Sequence, residues 1–142
     1  MITRNEVLTK WFRQWHTLKA WRRDLSNVTM EVSDRQYSDR LGTCWPAEQR
    51  FAVYRGHTPK FFAPGELYTV LHEMAHAACI EEHHGSKWQE AHAAAIREVT
   101  GIEIPKAANN YHTLCEAGTS AMKSWWVSSG NEFLLRLTGV EK

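Results

Sequence analysis

From Glu66 to Glu81 the chain contains no proline or glycine, and most of the stretch is apolar. Opened by Pro64-Gly65, with Glu66 in its first turn, it predicts a helix over about residues 66–81 that is buried on most of its faces. Set into it is His72-Glu73-Met74-Ala75-His76. Histidines four residues apart sit one helical turn apart on the same face, so both imidazoles can reach one metal ion. Glu73 stands beside the first of them, directed at the open side of such an ion, where a carboxylate can take a proton from water. Imidazole ligands with a position left open suit zinc. The five-residue motif is short enough to arise by chance; the apolar helix around it is what gives it weight.

Two protein ligands do not complete such a site, so a third is expected. The helix pattern breaks at Glu81-Glu82-His83-His84-Gly85, a polar turn. Ser86-Lys87-Trp88-Gln89 then reads as a capping box opening a helix over about 87–100, which Gly101 ends. A loop folded back between the two helices can bring His83 or His84 to the pair. His84 is favoured because Gly85 permits a tight turn beside it. Glu90 and Glu98 are alternative carboxylate ligands, whereas His92, among small residues, reads as a partly exposed helix histidine. The chemistry expected of His72, Glu73 and His76 is zinc-dependent hydrolysis of a peptide bond.

The run from His72 to His76, followed by His84-Gly85-Ser86-Lys87-Trp88, resembles the SprT-like (Spartan-like) zinc metallopeptidases. The likeness extends loosely over residues 28–115, through Thr100–Ile104 to Tyr111-His112, and is specific over 72–88. It implies an α+β, zincin-like single domain in which a small β-sheet packs on the motif helix with flanking helices. It also implies Zn2+ held by His72, His76 and His84, with Glu73 as general base. Some members of the family cleave proteins crosslinked to DNA, so DNA-bound protein is one substrate class to expect. The chain departs from the family after the catalytic region, where Cys115 is the only cysteine and no four-cysteine zinc ribbon can form.

Elsewhere the pattern is coarser. Thr3-Arg4-Asn5-Glu6 is a capping box, and Val7, Leu8, Trp11, Phe12, Trp15 and Leu18 recur at helical spacing, predicting a first helix over about 3–23. Strands are expected at 28–32, 41–45 and 50–54, with a short one at 102–104 cut off by Pro105. Tyr111 or His112, at the end of that segment, would border the cleft and donate to a developing oxyanion, or form a purely structural pair. A peptide substrate would pair with an exposed strand beside the motif helix. In the C-terminal segment 119–142, residues 121–127 and 132–137 are weakly helical; Trp125, Trp126, Phe133, Leu134 and Leu135 would complete the core or form a lid.

The net charge is +1, yet residues 1–23 hold Arg4, Lys10, Arg13, Lys19, Arg22 and Arg23 against Glu6, a local +5. Lys10, Arg13, Lys19, Arg22 and Arg23 are therefore candidates for gripping nucleic-acid phosphates, against the simpler reading of a solvated helix face. Three widely spaced cysteines, Cys44, Cys79 and Cys115, argue against a disulfide framework and for a reducing, cytoplasmic compartment. No apolar run has the length of a membrane span, and the N-terminus lacks a signal peptide's apolar core. Two other functions fit the same residues: a regulatory peptidase that cuts one partner protein, and a non-catalytic, zinc-stabilised nucleic-acid-binding module.

Overall fold

A helix that is apolar on almost every side belongs in the middle of a fold. The computed structural model describes residues 2–80, 84–104 and 111–130. In order, they form α1 (Arg4–Trp15), β1 (Thr29–Val32), β2 (Gly42–Trp45), β3 (Arg50–Val53), α2 (Ala63–Ala78), α3 (Ser86–Thr100) and α4 (Tyr111–Trp125). α2 is the central helix: from Ala63 to Ala77 every residue except Gly65 and His72 is buried. It packs against α1, α3, α4, β2 and β3. The result is a single α+β domain, as the order of patterns implied. Among the described residues no helix is long and apolar enough to cross a membrane.

The sheet has the order β1-β3-β2, with β1 parallel to β3 and β2 antiparallel to it. β3 is central and has Phe51, Ala52 and Val53 buried. β2 is an edge strand, in register with β3 from Gly42 opposite Val53 to Trp45 opposite Arg50. A turn at Pro46–Glu48 joins them, and Gln49 (φ 52°) reverses the chain.

The first helix is shorter than its periodicity predicts. Thr3 caps it as expected, accepting the Glu6 N–H at 3.1 Å, but it ends at Trp15, and Lys19–Trp21 forms a separate 3₁₀ turn. Two long-range contacts explain the break. The Trp21 indole donates to the Trp15 carbonyl at 2.8 Å, and the Glu98 carboxylate on α3 accepts the backbone N–H groups of Lys19 and Ala20 at 3.0 Å each. Lys19, Arg22 and Arg23 thus leave the helix that carries Lys10 and Arg13.

Arg4 does not join a solvated face. Its guanidinium is buried, 2.5 Å from the Glu66 carboxylate on α2, and also donates to the carbonyls of Ser33 at 2.8 Å and Val53 at 3.4 Å. Glu66 accepts the Gly56 N–H as well, at 3.3 Å. One buried pair therefore ties together α1, the ends of β1 and β3, and the first turn of α2.

At the other end of the chain the expectations need larger corrections. Residues 102–104 form no strand, and Tyr111-His112 opens a helix instead of closing an extended segment. α4 buries Leu114, Gly118, Ala121, Met122 and Trp125, a helical spacing that continues well before the 121–127 segment predicted. Gly118 lets α4 approach α2, since a Cβ there would lie 2.6 Å from the Tyr68 ring. Trp125 packs against Trp11 and Trp15, with ring centroids 4.9 and 6.0 Å apart, so this part of the C-terminal segment completes the core. A turn of π-helix follows at Trp126–Gly130. The expected helix at 132–137 and the apolar residues Phe133, Leu134 and Leu135 lie outside the described residues.

Candidate metal centre

α2 presents His72 and His76 toward the start of α3, and His84 reaches them from the connecting loop. The three ring ε-nitrogens converge: His84 Nε2 lies 3.0 Å from His76 Nε2 and 3.3 Å from His72 Nε2. A neutral imidazole nitrogen either donates or accepts one bond, so hydrogen bonding alone is a poor reason for three to face one point. A metal ion is a better one. Zinc–nitrogen bonds of about 2.0–2.1 Å set tetrahedral neighbours roughly 3.3–3.4 Å apart, close to the spacing found. These three side chains form the one group of potential metal ligands that the described residues bring together.

The loop reaches this geometry differently from the expectation. His84 itself takes the left-handed conformation, φ 59°, which costs a non-glycine residue about 1–2 kcal/mol. Gly85 is extended and serves as the N-cap of α3. The helix begins at Ser86, so Ser86 is not its cap. Gln89 instead turns back and donates from its side chain to the His84 carbonyl at 3.1 Å, holding the ligand loop to the helix.

Trp88 is the residue whose role the sequence left blank. It is fully buried and stacks on His76 at 5.1 Å and 25°. Its edge contacts reach His72 at 4.9 Å and His84 at 4.8 Å. One indole thus touches all three histidines and limits their rotation. On the far side His92 stacks on it at 4.7 Å and 15°. His92 is completely buried, contrary to the expected partial exposure. Burial, with His76 and His84 adding to it, pushes its pKa down to about 3, so it is a neutral packing residue.

The remaining candidates divide cleanly. Glu98 caps the Lys19–Trp21 turn and Glu90 is exposed on the wall of a different cleft; neither joins the histidines. His83 lies outside the described residues. Tyr111, from α4, packs its ring 4.2 Å from that of His84, whereas His112 is exposed. Burial, then the adjacent Cys115 thiol and Glu73, holds the Tyr111 hydroxyl above its usual range, so it remains an O–H donor.

Glu73 is buried with Oε2 3.9 Å from His72 Nε2. Burial pushes its carboxyl up to about 8. Gly42, the first residue of β2, makes room for it: a Cβ there would sit 2.8 Å from Glu73 Oε2 and 3.0 Å from the Ala52 carbonyl. His72, Glu73, His84 and Tyr111 all line one open cleft of about 790 Å³. It runs between α2, α4 and the segments flanking β2 and β3. The arrangement can hold a metal ion on three imidazoles with a carboxyl group beside it and open space in front.

The basic residues fall into two groups. Lys10 lies 3.9 Å over the Trp11 ring and Arg13 is exposed on α1. Lys19, Arg22 and Arg23 line a second cleft, which Glu90, Glu98 and Glu103 share. Cys44, Cys79 and Cys115 form no disulfide among the described residues. No family model, curated protein or solved structure matches this chain.

Proposed function

We propose that the protein is a zinc-dependent endopeptidase of the SprT-like kind, with His72, His76 and His84 as ligands and Glu73 as general base. The observation that carries this reading is that His84 Nε2 lies 3.0 and 3.3 Å from the ε-nitrogens of His76 and His72, next to a buried carboxyl group, with His72, His84 and Glu73 lining an open cleft. A structural zinc site is normally closed by a fourth protein ligand, whereas three ligands facing a cleft leave room for water and substrate. When bound, zinc supplies Lewis acidity that lowers the pKa of water toward neutrality and polarises a carbonyl.

The chain's own groups do the rest. Burial alone keeps Glu73 largely protonated near neutral pH; with a zinc ion beside it favouring the ionised form, its carboxylate would take the proton of the attacking water and pass it to the leaving amine. The Tyr111 hydroxyl, kept protonated, donates to the oxyanion as it develops. Substrate is held as an added strand: among the described residues β2 pairs only with β3, so its outer edge offers unpaired backbone groups to an extended peptide. Gly42, at the start of that edge, touches Glu73, which brings a peptide lying there beside the base.

The test is hydrolysis of an unfolded protein by the zinc-loaded chain and by its Glu73→Gln variant. The variant is expected to keep its zinc and lose at least about 100-fold in turnover; full activity with zinc in place sinks the proposal. Adding DNA separates the substrate classes. Stimulation favours DNA-bound or DNA-crosslinked proteins, with Lys10, Arg13, Lys19, Arg22 and Arg23 as the phosphate contacts. Cleavage of one defined partner regardless of DNA favours a regulatory peptidase, and zinc uptake without any hydrolysis a binding module.

A further inference from the structure

The cleft extends beyond the histidines to a second end whose chemistry is different. Five large apolar side chains stand exposed among the described residues, and two of them, Leu41 at 40% and Phe62 at 41%, line this one cleft. Leu41 immediately precedes Gly42, whose backbone abuts Glu73. Phe62 is the N-cap of α2 and packs against Gly65 one turn later, where a Cβ would meet its ring at 3.1 Å. Thr69 and Thr119 supply small walls from α2 and α4.

The charges nearby are engaged within the chain, Lys123 by its place over the Phe62 ring, with Nζ 5.6 Å from the ring centroid. Asp39 and Arg40 pair with each other at 3.1 Å, and Glu66 is held by Arg4. His57 Nε2 lies 2.7 Å from the Tyr37 carbonyl oxygen. A charged side chain entering here would lose hydration and find no free counter-charge among these groups. An apolar one would cover Leu41 and Phe62 and remove their surface from water.

Resting on the peptidase reading above, we infer that this end of the cleft is a side-chain subsite that takes a bulky apolar residue of the substrate within a few residues of the scissile bond, since Phe62 stands about three helical turns before Glu73 on α2. Its position follows from Leu41, one residue from the glycine that touches the base. The specificity would be for a leucine- or phenylalanine-like side chain and against acidic and basic ones.

Digestion of an equimolar peptide library by the zinc-loaded protein, with cut sites read by mass spectrometry, tests this. One position within three residues of the cut is expected to be enriched at least about 10-fold in Leu, Phe, Met or Ile over Asp, Glu and Lys, the scale that one well-buried apolar group provides. Phe62→Asp, at a position already exposed to water, is expected to lower that enrichment and raise the share of Lys and Arg. Abundant cuts with a flat profile at every position within three residues of the cut overturn the subsite and leave the peptidase reading standing. An enrichment that Phe62→Asp does not alter also overturns it. No cut in any peptide overturns the peptidase reading and the subsite together.

Discussion

Two clefts of nearly equal size open on this molecule, about 790 and 880 Å³, and they differ in what their polar atoms do. In the larger one the charged groups are turned to the chain itself or to solvent: Glu98 caps a backbone turn and Arg97 pairs with Glu103 at 3.1 Å. In the smaller one three imidazole nitrogens point at one another across about one zinc coordination sphere, a buried carboxyl group lies alongside, and a tryptophan fixes the rings. Size therefore does not distinguish a site from a hollow. Convergence of several potential ligand atoms on one point beside a buried carboxyl group does.

That contrast can be broken in order of expected effect. His84→Ala removes one converging nitrogen and should weaken zinc binding by more than about 100-fold, beyond what loss of an outer-shell partner does; metal titration of both proteins checks it. Zinc bound at parental strength would mean that the nitrogens do not converge for a metal. Gly42→Ala keeps every ligand yet drives a methyl group into the Glu73 carboxylate and the Ala52 carbonyl. Turnover should fall about 10-fold or more with zinc content unchanged, the cost of a small misplacement of a reacting group. In the other cleft, Glu98→Ala removes acceptors for two backbone N–H groups. It should cost about 1 kcal/mol of stability, as a lost helix cap does, measurable by urea unfolding, and leave zinc affinity untouched. A drop in zinc affinity there would erase the distinction between the clefts.

The smaller cleft was far more legible in the sequence than the elements around it. The motif helix, three of the four expected strands and the stop at Gly101 follow from local signals, and Gly101 does hold φ 75° with its N–H on the Arg97 carbonyl. The argument for His84 from a tight turn at Gly85 fails in detail, since the left-handed residue is His84 itself and not its glycine neighbour. What periodicity cannot encode is a contact across the chain. The first helix breaks because Glu98, some eighty residues on, holds the next turn. His92 looked exposed because its neighbours are alanines, yet small residues are what let Trp88 and Tyr68 close around it. α4 did carry a readable signal in Leu114, Gly118, Met122 and Trp125, obscured by the glycine, threonine and serine residues among them.

The buried Arg4–Glu66 pair has a practical consequence for how the polypeptide can be trimmed. Glu66 lies on the cleft wall, and its counter-ion comes from the fourth residue of the chain. Shortening the N-terminus past Arg4, by proteolysis or by cloning, strands a carboxylate in an apolar interior, a defect worth about 3–5 kcal/mol. The same cut takes the Arg4 donor from the Ser33 carbonyl, while the Val53 carbonyl keeps the Ser33 N–H at 2.9 Å. A protein without Arg4 is thus expected to melt earlier and to hold the Glu66 wall of the cleft less firmly, although His72, Glu73, His76 and His84 are untouched.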